Sequence, residues 1–76
     1  MKEKICVSLL HEGVQTYKYI FAERVSDTIY IISEDNEHNP EDEEWEFLSG
    51  TTVVVEMKTF QDGTRDLVAI KKYHKL

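Results

Sequence analysis

Seventy-six residues carry one cysteine, one proline and three glycines, and no long apolar run. The lone cysteine, Cys6, excludes an internal disulfide and with it the stapled scaffold of many small secreted domains. Nothing approaches the roughly 20 apolar residues of a spanning helix. Residues 1–10 have neither the apolar length of a signal peptide nor a small-residue cleavage site. The expectation is a soluble cytoplasmic chain that does not engage a membrane. Lys and Arg are also scarce, nine against fifteen carboxylates, for a net charge of −6. Affinity for phosphate backbones comes from Lys and Arg displacing counterions, so nucleic acid is not the expected partner.

Catalytic vocabulary is missing too. There is no glycine-rich phosphate loop and no serine-centred elbow, and His11, His38 and His74 lie too far apart for zinc spacing. Cys6 and His11 are five residues apart, which puts them on opposite faces of a strand rather than together as nucleophile and base. A chain this small hides only about 60% of its unfolded surface and has little interior for a deep reactive pocket. The expectation is a single domain over residues 1–76 with no enzymatic activity, no catalytic residue, no cofactor and no metal.

What the chain does have is Val, Ile, Thr, Tyr and Phe, residues that suit a half-buried pleated surface. Over 4–10, Ile5, Val7 and Leu9 alternate with Cys6 and Ser8, a strand with one covered face. Gly13 supplies a tight reversal. Over 14–25, Tyr17, Tyr19 and Phe21 share one parity and Ile20 and Ala22 the other, one bent strand or two sharing a bulge. Residues 28–32 form a third strand, and Trp45, Phe47 and Leu48 lead into a turn at Ser49 and Gly50. Residues 51–60 give the strongest strand signal, with Val53 and Val55 on one parity and Phe60 on the other, which predicts a bulge at 56–58. Asp62 and Gly63 predict a type I′ turn into a last strand beginning at Leu67. Short turns and about five strands point to an all-β chain closed into a small, strongly bent barrel, since closure removes edges that a small flat sheet would expose.

Charge is segregated. Eight carboxylates fall between Glu34 and Glu46, and no Lys or Arg occurs between Arg24 and Lys58. Residues 34–44 are expected to form one long acidic loop, solubilising or partner-binding. Asp35, Glu37, Asn39, Glu43 and Glu46 fall on positions 1, 3, 5, 9 and 12 of a calcium-loop register, but Pro40 stands where that loop needs glycine and no helices flank it, so calcium binding is not expected. Trp45 and Phe47 read as an aromatic pair pinning the acidic loop onto the barrel, or as an exposed anchor. The candidate partner-binding residues are Tyr17, Tyr19, Trp45, Glu43, Glu44 and Glu46. The function expected is a noncatalytic protein-interaction module with an aromatic and acidic surface, whose partner is another protein or a second copy in a homodimer. The alternative is a small-ligand or single-strand nucleic-acid binder that stacks bases on the same aromatics and uses Lys58, Arg65, Lys71 and Lys72 for phosphates.

Leu10, His11, Glu12, Gly13, Val14, Tyr17, Ala22, Glu23, Tyr30 and Ile31, followed by Glu44, Trp45, Glu46, Phe47 and Gly50, form a pattern that resembles a group of short uncharacterised bacterial proteins. In that group a proline precedes the last glycine, where this chain has Ser49. The resemblance implies a small five-stranded SH3-like barrel of a kind also met on mobile elements such as integron gene cassettes, and implies no activity and no functional residue.

Overall fold

The computed structural model describes residues 2–11, 13–34, 36 and 44–74. Among them there is no helix, and therefore none long and apolar enough to cross a membrane. Six strands run in order: β1 (Lys2–Leu10), β2 (Thr16–Arg24), β3 (Ile29–Ile32), β4 (Glu44–Trp45), β5 (Thr52–Thr59) and β6 (Arg65–Lys72). Five of them close a ring in the order β1, β2, β3, β5, β6, each antiparallel to the next, with β6 returning to β1. An odd number of alternating strands leaves its first and last members pointing the same way, so the closing pair must be parallel. It is, with Cys6 opposite Val68. The all-β, barrel-like architecture expected from the sequence is therefore present.

Alternation sorts the side chains. Ile5 and Val7 of β1, Ile20 and Ala22 of β2, Tyr30 and Ile32 of β3, Val53 and Val55 of β5 and Ala69 of β6 point inward and form the core. Tyr30 is buried, and its hydroxyl donates to Glu3 Oε2 at 3.2 Å, so its one polar atom is satisfied. The segment after β4 crosses from one side of the ring to the other. Glu46 N donates to Ser8 O on β1 (2.9 Å), and Gly50 N donates to Ile32 O on β3 (2.8 Å). From β4 through this segment Trp45 and Phe47 join the core, only 2% and 8% exposed, while Glu44, Glu46 and Leu48 face solvent.

Three local expectations are corrected. The irregularity between β5 and β6 lies at Val54 and Val55, which face Lys71 and Ala69, so Ile70 is the extra residue and the bulge is on β6 rather than at 56–58. The last strand begins at Arg65, two residues before Leu67. The turn at Asp62 is not type I′, because that type needs positive φ at both central residues and only Gly63 (φ 90°) has it. Instead Gly63 N donates to Phe60 O (3.0 Å) and Phe60 N to Thr64 O (2.8 Å), a three-residue loop whose last member is left-handed. Asp62 Oδ1 fastens it, accepting from Thr64 N (3.0 Å) and Oγ1 (2.7 Å).

Candidate functional site

Because β1 and β2 are paired in register, residues opposite each other share a face. Lys4 stands opposite Phe21, Cys6 opposite Tyr19 and Ser8 opposite Tyr17. These six point away from the core, so β2 carries three aromatic rings in a row on its outer surface. Tyr19 and Phe21 are 54% and 45% exposed, and Tyr17 is half-buried. What partly covers Tyr17 is Phe60, at the tip of the β5–β6 hairpin, edge-on with ring centroids 5.3 Å apart and planes at 65°. At the other end of the row Lys4 Nζ lies 5.7 Å from the Phe21 ring centre, within cation–π range.

Between this row and the hairpin runs an open groove of about 820 Å³, with Tyr17, Tyr19 and Phe60 as walls, Cys6 as floor, and Gln15, Thr16, Lys58, Gln61, Asp62 and Thr64 along the rim. The Tyr19 hydroxyl donates to Asp66 Oδ2 on β6, bridging two strands that are not neighbours in the ring. That hydrogen bond, helped by partial desolvation and by the Asp66 charge, pushes the phenol up to about 12, because ionising it would forfeit the bond and place two negative charges together. Cys6 beneath it is free and buried. Burial chiefly, and then the Asp66 charge, push its thiol up against a smaller opposing pull from the Tyr19 hydroxyl. A protonated, covered thiol is a packing group.

The candidate residues divide. Tyr17 and Tyr19 share the groove. Trp45 does not: it is a core side chain at the end of the barrel and offers no surface to a partner, which corrects its inclusion, and Phe47 belongs to the same core cluster. Glu46 is exposed and alternates with the two inward aromatics. Its backbone joins Ser8 on the edge of β1 opposite the one facing Tyr17, so Tyr17, Ser8 and Glu46 lie in one row across the outer surface. Glu44 sits further along, its Oε2 3.2 Å from His11 Nε2, both side chains exposed. Glu43 lies outside the described residues, as do Asp35, Glu37 and Asn39 of the calcium register. Within the acidic segment, Asn36 near its start is described. Its side chain accepts from Phe21 N (2.9 Å) and donates to Phe21 O (2.8 Å) and Ser33 O (2.8 Å), fixing the entry to that segment at the end of the aromatic row.

The cations assigned to phosphate contacts divide as well. Lys58 borders the groove, Arg65 is at the neck of the β5–β6 hairpin, and Lys71 and Lys72 line a separate hollow with Ile29, Val54, Tyr73 and His74. Sequence reasoning missed Phe60 as a wall of the site and Asp66 as the partner of Tyr19. Phe60 carried a signal, since its parity did not fit the core, whereas the pairing of residues 19 and 66 follows from ring closure and has no local trace.

A small closed β-barrel with an exposed aromatic row on its outer face is thus the class of protein that fold and site define. A scan against protein-family models gave no match, and searches of curated proteins and of solved structures gave none either.

Proposed function

We propose that this chain is a noncatalytic protein-interaction module whose contact surface is the outer aromatic row of β2 with the tip of the β5–β6 hairpin. The observation that carries it is the edge-on contact of Tyr17 with Phe60 beside the exposed rings of Tyr19 and Phe21, an apolar wall left in water where a barrel of this size would normally show polar side chains. Tyrosine suits such a surface, because its ring offers contact area at little conformational cost and its hydroxyl tolerates water. Glu46, across Ser8 from Tyr17, supports an acidic border to this surface, with Asp62 and Asp66 on the hairpin side. The partner is another protein or a second copy of the chain, and the free, buried Cys6 fits a cytoplasmic setting. The nucleic-acid alternative is less well supported, because only Lys58 among its four proposed phosphate contacts borders the groove.

A photoreactive phenylalanine analogue at position 19, and separately at position 31 on the exposed side of β3, tests this in cells. The module reading expects adducts from position 19 and none from position 31, with the adduct mass telling a second copy from a different protein. Adducts from both positions, or from 31 alone, contradict it.

A further inference from the structure

The row itself carries a statement about the partner. Tyr17, Tyr19 and Phe21 are alternate residues of one strand, so their rings repeat about every 6.4–6.8 Å. That is also the repeat of alternate side chains in an extended peptide, so a segment lying along β2 places one side chain over each ring in turn. The chemistry of those side chains is set by two further observations. Phe21 already holds a cation over its face, the Lys4 ammonium. The row is also bordered by carboxylates from three directions: Glu46 across Ser8, Asp66 at the Tyr19 hydroxyl, and Asp62 at the hairpin loop. Lys58, the cation on the rim, stands cross-strand from Asp66. The chain as a whole is at −6.

We propose that the groove takes an extended, arginine-bearing segment of the partner protein, whose guanidinium planes stack on Tyr17 and Tyr19 while their edges meet the bordering carboxylates. Arginine fits better than lysine, because a flat, weakly hydrated guanidinium stacks on a ring and pairs sideways with a carboxylate at once, whereas a hydrated ammonium does one or the other. An acidic segment would meet Glu46, Asp62 and Asp66 and be repelled. This rests on the interaction-module reading and adds the chemistry of the partner to it.

The test uses the full chain and four capped octapeptides in which glycine alternates with arginine, lysine, glutamate or leucine, followed by the ring resonances of Tyr17, Tyr19 and Phe21. The arginine peptide is expected to shift Tyr17 and Tyr19 and to bind more tightly than the lysine peptide. Glu46→Gln should weaken it, Tyr19→Ala should weaken it roughly two- to fivefold, and added salt should weaken it further. Lys4→Gln removes a competing cation and should tighten it. Tyr19 and Lys4 are outside the core, so these variants keep the fold, and circular dichroism verifies that. If the leucine or glutamate peptide shifts the same rings and the arginine peptide does not, the cationic partner is wrong and the module survives. If the arginine peptide binds but shifts Glu34 and Glu44 without the rings, it is held by bulk negative charge and the proposal fails. If no peptide moves the rings and position 19 gives no adduct in cells, both proposals fall.

Discussion

Trp45→Ala is the substitution that most sharply separates a core tryptophan from a binding one. Trp45 is 2% exposed and closes the end of the barrel together with Phe47, on a segment fixed at Ser8 and at Ile32. Truncating a buried tryptophan costs about 3–5 kcal/mol, because the lost burial is compounded by a cavity that rigid neighbours fill only in part. A domain of 76 residues has a total stability of about 4–11 kcal/mol. The variant should therefore lose between about a quarter and all of its stability, whereas Trp45→Phe, which keeps a ring in the plug, should lose about 1–2 kcal/mol. Urea unfolding followed by circular dichroism gives both values. Trp45 is the only tryptophan, so native fluorescence provides an independent check: emission should be blue-shifted and resist iodide until the chain unfolds. A Trp45→Ala protein within 1 kcal/mol of the parent, or a parent protein whose native emission is already at the wavelength of solvated indole, would refute the plug and return Trp45 to the surface.

Tyr19 should titrate near pH 12 by absorbance at 295 nm, and Asp66→Asn should bring it down toward the ordinary tyrosine value. Its folded pKa lies above the unfolded one, so what the Tyr19–Asp66 contact adds to stability is whole below about pH 10 and lost as pH rises toward 12. A Tyr19 titration indistinguishable in the two proteins would remove the contact. Cys6 should react with a disulfide reagent at pH 8 at least about 100-fold more slowly in the native protein than in urea. Native labelling at the unfolded rate would show that the thiol is not covered. Gly63→Ala should cost about 1 kcal/mol although nothing crowds the position, because φ of 90° is what the methyl group disfavours. An unchanged melting temperature would mean that the loop has another conformation.

The strands were legible because two faces of different polarity force a period of two, and Ile5 with Val7, Ile20 with Ala22, and Val53 with Val55 all declare it. The misplaced bulge shows where that logic ends. It assumed one apolar interior, so Phe60 on the wrong parity demanded a correction at 56–58. Phe60 instead packs on the outer face against Tyr17, above Cys6, and needs none. A second apolar layer outside the barrel exists only once β6 has met β1, a long-range event represented by the single registered pair Cys6 and Val68. The same closure brings Asp66 to Tyr19. The turn at Asp62 was located but mistyped, since Asp-Gly serves both a two-residue loop and a three-residue loop ending in left-handed glycine. For the site, Tyr17 and Tyr19 were visible as an alternating aromatic row, whereas the fate of Trp45 depended on its segment crossing the mouth of the ring, a path that no local pattern encodes.

The division of the aromatic residues into a buried plug and an exposed row is the claim on which both proposals stand, and nuclear magnetic resonance with a soluble paramagnetic agent measures it in one experiment. Tyr19 and Phe21 ring protons should relax strongly, Trp45 and Tyr30 should be shielded, and Tyr17 should show cross-relaxation to Phe60 consistent with rings 5.3 Å apart. Shielded Tyr19 and Phe21 rings, an accessible Trp45, or no contact between Tyr17 and Phe60 would contradict the account.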